Sequence, residues 1–303
     1  HNGQNRQYYL YEPESIQENA PLIFVLHGYS GSASGIISYA GMNMLADEYG
    51  FAVCYPNGTI DQSNNRFWNV GYAFHQNQTV DDVGFLSSLA NYLQSENGYS
   101  SENTFVTGMS NGGDMSYMLA CQADETFKAI APVAGCMMED IYNICNPNPI
   151  PVFEIHGTAD GVTLWNGDME NNDGWGSYLS TLNGIAFWVE QNECQNSEEI
   201  QGPALNAIHH RYFDCIDNTE VWLYEIVDGG HDWPTYSSQE IWNFFNQFIT
   251  SGDINNDGTI NIQDIIVLIN IVLESNFDSN ADINNDGIIN ILDIIQLVNI
   301  ILN

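Results

Sequence analysis

Short apolar runs followed by glycine-containing loops recur along most of the chain. Strand-like runs lie at 21–26, 103–106, 151–155 and 221–227. Helix-like amphipathic stretches follow the second and the last of these runs, at 113–123 and 238–248. This order of elements predicts an α/β domain with a mostly parallel sheet.

One strand-to-helix turn has the composition of a catalytic turn. Ser110 is flanked by Gly108, Met109, Asn111 and Gly112. A serine on such a sharp turn needs small neighbours, because the tight backbone leaves no room for side chains beside the exposed hydroxyl. The pentapeptide is typical of a nucleophile elbow and predicts the α/β-hydrolase fold.

Two further strand ends supply partners for this serine. A serine hydroxyl needs an imidazole to accept its proton and a carboxylate to orient that imidazole. In this fold they follow the nucleophile in the order acid, then histidine. Asp160 lies in the loop after the run at 151–155, and His231 lies in the loop after 221–227. We therefore predict the triad Ser110, Asp160 and His231.

Other histidines and acids fit this order less well. His27 and His156 also precede a glycine at a strand end, but His27 comes before the nucleophile and His156 comes before the acid. Asp82 is the main rival acid; since it precedes the elbow, we interpret it as the N-terminal cap of the next helix. The remaining histidines are interpreted as surface or polar-network residues: His1, His75, His209 and His210.

An oxyanion hole in such a site combines two backbone N–H groups. The first belongs to the residue after the nucleophile, here Asn111. The second comes from the loop after an early strand, and we assign it to Tyr29 in the loop at 27–31.

Several ordered motifs resemble a known family. The segments concerned are 26–29, 55–58, 80–85, 108–113, 131–135, 156–160, 229–234 and 241–245. Together they resemble the secreted feruloyl esterase-like and polyhydroxybutyrate depolymerase-like esterases of carbohydrate esterase family one. The resemblance covers roughly residues 5 to 250. It implies the same triad and oxyanion residues, and leaves open whether feruloyl, acetyl or polyester bonds are cleaved.

A repeat follows this region. Residues 253–273 and 282–302 match at 16 of 21 positions with an offset of 29. Each copy places oxygen donors at positions 1, 3, 5, 7, 9 and 12 of an EF-hand-type loop, with a glycine at position 6. We therefore predict two structural Ca²⁺ ions. For catalysis we predict no cofactor. The predicted ligands are Asp253, Asn255, Asp257, the Thr259 carbonyl, Asn261 and Asp264 in the first loop, and Asp282, Asn284, Asp286, the Ile288 carbonyl, Asn290 and Asp293 in the second.

The repeat resembles a type I dockerin, because position 12 is Asp and each loop is followed by one helix. Dockerins attach secreted carbohydrate-active enzymes to cohesins. The helix following the first loop is apolar on most sides and is expected to bury more than one face. The second face would meet a cohesin, the esterase domain or another copy of the chain.

Composition supports a secreted protein with two domains, at 1–250 and 251–303. The 303 residues include 4 basic and 39 acidic ones, for a formal charge of -35. This charge argues against nucleic acid or an anionic membrane as a partner. The sequence contains no apolar run long enough for a membrane span. It begins at His1, so we expect a mature or trimmed chain.

Six cysteines allow disulfides in a secreted enzyme. Cys194 and Cys215 flank a predicted hairpin, and relatives in the family form a bridge there. Cys136 with Cys145 is the next predicted pair. Cys54 lies inside a strand-like run and is expected to be a buried thiol.

Aromatic residues near these motifs are candidates for substrate binding. Trp233 lies beside the predicted base, Trp68 lies in an insertion before the elbow, and Trp165 and Trp175 lie in a polar segment expected to form a wall of the cleft. Core packing is the alternative interpretation. The leading hypothesis is a feruloyl or acetyl esterase acting on cell-wall polysaccharide; the alternatives are a polyester depolymerase and a non-catalytic calcium-dependent binding protein.

Overall fold

The computed structural model divides the chain into two compact units, His1–Phe248 and Ile249–Asn303. We call the first, which contains the predicted triad, the catalytic unit and the second the C-terminal module. The residues that the structure describes are 1–249, 252–255, 260–274, 281–283 and 288–302.

Nine strands of the described chain form one sheet in the catalytic unit, in the order β1-β3-β2-β6-β7-β8-β11-β10-β9. A separate small hairpin pairs β4 with β5. The strands are β1 (Tyr8–Tyr11), β2 (Leu22–Leu26), β3 (Ala52–Pro56), β4 (Thr59–Ile60), β5 (Arg66–Phe67), β6 (Thr104–Met109), β7 (Ala129–Val133), β8 (Val152–Gly157), β9 (Asn196–Gln201), β10 (Ala207–Phe213) and β11 (Val221–Ile226).

The centre of this sheet is parallel and its two edges are antiparallel. Strands β3, β2, β6, β7, β8 and β11 run parallel to one another. Strand β1 pairs antiparallel with β3, and β9, β10 and β11 form an antiparallel edge. Strands β3, β2, β6, β7 and β8 are fully buried, because helices cover both faces of a parallel sheet. The predicted α/β class with a mostly parallel sheet is confirmed.

Helices connect these strands and cover the sheet. Three of them have a side-chain N-cap, supplied by Ser32, Asp81 and Ser180. They are α1 (Ala33–Ala40), α2 (Met42–Tyr49), α3 (Asp82–Asn97), α4 (Asn111–Gln122), α5 (Glu139–Ile144), α6 (Thr181–Gln191) and α7 (Ser237–Asn246), with short 3₁₀ turns at Ala73–His75 and Ile216–Asn218.

Two disulfides link elements of the catalytic unit. Cys194 is bonded to Cys215, as expected. The second predicted pair is wrong, because Cys145 is bonded to Cys121 in the last turn of α4. Cys136, beyond β7, is a free thiol, and Cys54 is a buried free thiol within β3.

The C-terminal module contains two helices, α8 (Ile262–Glu274) and α9 (Ile291–Leu302). Its core is small and consists of Ile254, Leu268, Ala281, Ile283 and Leu297. Each helix also has exposed isoleucine and leucine side chains, at 262, 266 and 273 in α8 and at 291, 295 and 302 in α9. Within the described residues, no helix is both long and apolar enough to cross a membrane.

Candidate active site

Ser110 occupies a strained turn between β6 and α4. Its φ of 54° and ψ of -120° lie in a region that non-glycine residues rarely adopt, at a cost on the order of 1–3 kcal/mol. Its N–H donates to the carbonyl oxygen of Val133 at 2.9 Å, which holds the turn against β7. A Cβ at Gly108 would lie 2.4 Å from the carbonyl oxygen of Gly112, so this close approach requires glycine. The backbone therefore has the geometry of a nucleophile elbow.

Asp160 and His231 are in direct contact. His231 Nδ1 lies 2.7 Å from Asp160 Oδ2. The other carboxylate oxygen, Oδ1, accepts the N–H groups of Val162 at 2.7 Å and Thr163 at 2.9 Å. The carboxylate is therefore fixed on one side by its own loop and on the other by the imidazole. This arrangement leaves Nε2 of His231 as the nitrogen available to a reacting group.

The ionised form of Asp160 is favoured. Burial is the strongest single influence and acts to raise the pKa of Asp160. The hydrogen bonds from His231 and Val162, together with the nearby histidines, outweigh burial and lower the pKa below its usual value. Asp160 can therefore stabilise a positive charge on His231.

The sheet brings the three predicted triad residues to the carboxyl-terminal ends of its parallel strands. Ser110 follows β6, Asp160 follows β8 and His231 follows β11, and parallel neighbours β6, β7, β8 and β11 end on that side. Asp114 lines the same cleft as Ser110. The predicted triad residues are thus grouped by the topology.

The predicted oxyanion loop passes directly against the elbow. A Cβ at Gly28 would lie 3.4 Å from the Cβ of Ser110. The Tyr29 hydroxyl donates to Asp61 Oδ2 at 2.7 Å, and the N–H of Ser30 donates to the carbonyl oxygen of Arg66 at 2.8 Å. The loop that contains the Tyr29 N–H is therefore held at both its side chain and its backbone.

Asn111 is the first residue of α4, so its N–H has no partner four residues earlier within the helix. Its side chain exchanges two hydrogen bonds with the backbone of Trp68, accepting at 2.7 Å and donating at 3.1 Å. The amide side chain anchors the elbow to the preceding insertion.

Two of the three predicted substrate-binding tryptophans are core residues. Trp68 is fully buried, stacks on His27 and donates from Nε1 to the His27 carbonyl oxygen at 2.9 Å. Trp233 is also buried, and its Nε1 donates to Ser238 at 3.0 Å. The burial of both rings supports the alternative interpretation, core packing. Trp165 is half-buried and lies against the ring of His156.

A cleft with about 290 Å³ of empty space opens at Ser110. Its wall includes Trp175, from the polar segment expected to form a wall of the cleft. Val162, Thr163 and Tyr178 come from the same segment. The lining residues that were not predicted from the sequence are Tyr72, Asp114, Cys136 and Met138. Cys136 follows the carboxyl end of β7, so the rule that found the triad at strand ends could also have found it.

Asp114 places a buried carboxylate in this cleft. It accepts the Tyr72 hydroxyl at 2.6 Å and the N–H of Cys136 at 2.7 Å. Burial raises the pKa of Asp114 to about 6 despite these hydrogen bonds. Asp114 lies one helical turn after Ser110, a spacing that could have indicated its proximity.

The rival residues have structural partners. Asp82 is buried and forms an ion pair with Arg6 at 2.6 Å. It is the first residue of α3, whereas the cap is Asp81, which accepts the N–H of Gly84 at 2.8 Å; the predicted cap was thus one residue off. His27 is buried, and burial lowers its pKa to about 4.

The described parts of the calcium-loop candidates fold around buried carboxylates. Asp264 accepts the N–H groups of Ile254, Asn255 and Asn261 at 2.8, 3.1 and 2.8 Å. Asp293 accepts the N–H of Asn290 at 2.7 Å.

Four predicted ligands, Asp257, Thr259, Asn284 and Asp286, lie outside the described residues, as do Gly258 and Gly287. In the part that is described, no three His, Cys, Asp or Glu side chains form a metal-binding group. The described donors are all oxygens, which fits a hard cation such as Ca²⁺.

Comparison with known proteins identifies both parts of the chain. Residues 6–170 match the family model described as esterase PHB depolymerase, and residues 251–302 match that of the dockerin type I domain. The first match spans more than half of the chain. The chain therefore belongs to the esterase PHB depolymerase family and contains a dockerin type I domain.

Two curated relatives are similar over most of this chain. A bifunctional acetylxylan esterase/xylanase of Neocallimastix patriciarum is 24% identical over 264 residues, 84% of this chain. Feruloyl esterase B of Piromyces equi is 27% identical over 234 residues, 76% of this chain. These matches span 35% and 42% of the relatives' own lengths.

A solved structure supports the fold. The acetyl xylan esterase from Aspergillus awamori matches with a TM-score of 0.60 at 18% identity, covering 81% of this chain and 95% of that one. At this identity the likeness concerns the fold alone.

Proposed function

We propose that this member of the esterase PHB depolymerase family is a secreted serine carboxylic-ester hydrolase. The observation that supports this most strongly is the 2.7 Å contact between His231 and Asp160. The contact lies at the same end of the parallel strands as Ser110, which occupies a strained turn. A non-catalytic binding protein would have no need for this arrangement.

In the proposed reaction, the Ser110 oxygen attacks the ester carbonyl carbon while Nε2 of His231 accepts the hydroxyl proton. The N–H groups of Tyr29 and Asn111 stabilise the negative oxygen of the tetrahedral intermediate. Its collapse breaks the bond to the alcohol, which leaves with the proton from His231. Water then attacks the acyl-enzyme with His231 again as base, releasing the acid and restoring Ser110.

We propose feruloyl or acetyl esters of cell-wall polysaccharide as the substrate class. Both curated relatives carry the names of such esterases. The aromatic side chains of Tyr72, Trp175 and Tyr178 around the Ser110 cleft suit a flat acyl group. Polyester is the second candidate, because the family model is described by polyhydroxybutyrate depolymerase activity.

A substrate panel tests this proposal. Methyl ferulate, acetylated xylan, p-nitrophenyl acetate and polyhydroxybutyrate film would be offered to the whole protein and to Ser110→Ala. We expect hydrolysis of methyl ferulate or acetylated xylan by the wild type only. Preferential release of hydroxybutyrate from the film would favour the polyester alternative, and no hydrolysis of any ester would refute the enzyme assignment.

For the C-terminal module we propose two structural Ca²⁺ ions and a cohesin as partner. The dockerin match and the oxygen donors at both repeats support the ions. Asp253, Asn255, Asp257, Asn261 and Asp264 would hold one ion with the Thr259 carbonyl, and their counterparts in the second repeat would hold the other. Bound Ca²⁺ would neutralise the clustered carboxylates. The exposed apolar side chains of α8 and α9 offer a surface for a protein partner.

A further inference from the structure

A second buried histidine lies directly behind the proposed acid. His156 is in β8, four residues before Asp160, and it is almost completely buried together with Glu154 from the same strand. Its Nδ1 lies 2.9 Å from Glu154 Oε1. Its Nε2 lies 2.9 Å from the carbonyl oxygen of Thr163 and 3.5 Å from Asp160 Oδ2. Both ring nitrogens therefore face oxygen atoms.

Two protonation states satisfy this geometry. In the first, His156 is doubly protonated and donates to an ionised Glu154. In the second, a protonated Glu154 donates to a neutral His156. The Tyr117 hydroxyl donates to Glu154 Oε2 at 3.0 Å, which favours the carboxylate, and the nearby carboxylate of Asp160 favours the cation. These contacts support the first state.

Burial raises the pKa of Glu154 to about 7, which acts against the ionised carboxylate, so the hydrogen-bond geometry carries the choice. The pKa of His156 shifts in the direction of the first state. Burial alone would lower the pKa of His156, but the hydrogen bond and the charge of Glu154 outweigh burial and raise the pKa above its usual value. The titratable groups around this pair come from several elements. They are Glu154 in β8, Asp160 after it, Tyr117 and Asp114 in α4, Cys136 after β7 and His231 after β11.

His27 provides a contrast within the same molecule. It too precedes a glycine at the end of a parallel strand and is buried. Its Nδ1 lies 2.8 Å from the carbonyl oxygen of Gly28, but its Nε2 accepts the N–H of Gly58 at 3.0 Å. One acceptor and one donor fix a neutral ring. The two histidines thus occupy similar positions with different partners.

We propose that His156 is a positioning residue that is positively charged in the resting enzyme, holds Asp160 ionised and fixes the loop at 160–163. The inference rests on the proposed triad. Thr163 links the two roles, because its carbonyl oxygen faces His156 while its N–H donates to Asp160. Asp160 Oδ2 lies 3.5 Å from His156 Nε2 and 2.7 Å from His231 Nδ1. A cation on His156 therefore opposes a second positive charge on His231 by Coulomb repulsion.

Nuclear magnetic resonance on the wild type tests the charge directly. The protein is labelled with ¹⁵N-histidine. The His156 signals are assigned either by their loss in His156→Gln or by their shift in Glu154→Gln. The assignment therefore requires only one of these two variants to fold. We expect both ring nitrogens of His156 to be protonated at pH 7, with His27 as the neutral internal reference. A singly protonated His156 at that pH would overturn the proposal.

The rate profile tests the effect on the base. In His156→Gln, the acid limb of kcat/KM for p-nitrophenyl acetate should move up by about one pH unit, a roughly tenfold loss below the limb. His210→Gln is the matched control, because His210 also faces a carboxylate, Glu225 at 2.9 Å, but lies on β10. A lower kcat with an unmoved acid limb would reduce His156 to a packing role. Full activity of Ser110→Ala would instead refute the proposed triad, and the resonance result would stand independently.

Discussion

The two units of this chain balance their buried carboxylates in different ways. In the catalytic unit, Asp82 pairs with Arg6 and Asp160 pairs with His231. In the C-terminal module, Asp264 is bonded to three backbone N–H groups, and the sequence from 249 to 303 contains no Lys, Arg or His. The catalytic unit therefore supplies positive charge to these two carboxylates, whereas we propose that the module takes its positive charge from bound Ca²⁺. Catalysis should then be independent of Ca²⁺, while the fold of the module should depend on it.

Removal of the triad should produce the largest effect in the catalytic unit. Ser110→Ala and His231→Ala are expected to reduce kcat by about 10⁵-fold or more, and Asp160→Asn by about 10⁴-fold, because the three residues act as a unit. Initial rates on p-nitrophenyl acetate measure this. Ser95→Ala, an exposed serine on α3, is the control. A decrease in kcat of less than tenfold in Ser110→Ala would refute the assignment of Ser110 as the nucleophile.

Chelation should separate the two units. Excess EDTA should abolish the thermal transition of the module and expose it to protease, because its carboxylates then repel each other, while the rate on a soluble ester is kept. Calorimetry and a two-site calcium titration measure this. Equal loss of the thermal transitions of the catalytic unit and of the module would contradict the contrast between the two units.

A point variant sharpens the same contrast. Asp264→Ala leaves three backbone N–H donors without their acceptor, at about 1–3 kcal/mol each if they remain buried. We expect the module to lose its transition even at saturating Ca²⁺, by calorimetry. Gln296→Ala, at an exposed position of α9, should leave it unchanged. A normal transition in Asp264→Ala would show that this carboxylate is not needed.

The catalytic unit is also stabilised by covalent bonds. Cys121→Ser should lower its free energy of unfolding by about 3 kcal/mol, because the bond to Cys145 closes a loop with a sequence separation of 24. Denaturant unfolding measures the loss. Non-reducing peptide mapping should join Cys121 to Cys145; a peptide joining Cys136 to Cys145 would contradict the pairing.

The smallest predicted effect concerns the buried carboxylate in the cleft. The pKa of Asp114 is raised by burial to about 6, so its contribution to stability is complete below the unfolded value and decreases as pH rises through about 6. Relative to Asp114→Asn, the wild type should therefore lose about 2 kcal/mol between pH 4.5 and 8. Paired urea titrations measure this, with exposed Asp47→Asn as the control. A pH-independent difference would rule out a buried, titrating Asp114.

Local patterns predicted the strands, the elbow and the order of the proposed triad because each depends on residues close together in sequence. The cap of α3 was predicted one residue too late, which is a local error. The other differences concern contacts between distant segments. No local signal distinguishes Trp68 in the core from a tryptophan in the cleft, since its burial depends on His27. The pairing of Cys121 with Cys145 likewise depends on where α4 ends against α5. The protonation of both ring nitrogens proposed for His156 depends on oxygen atoms of Glu154 and Thr163, which only the folded loop brings together.

Covalent trapping tests the central claim most directly. A fluorophosphonate, which reacts with activated serines, would be added to the whole protein with and without EDTA, and the modified peptide would be identified by mass spectrometry. We predict one label per chain, on Ser110, at similar rates in both conditions and absent in His231→Ala. No label on Ser110, or labelling that requires Ca²⁺, would contradict the account of a self-sufficient catalytic unit beside a calcium-dependent module.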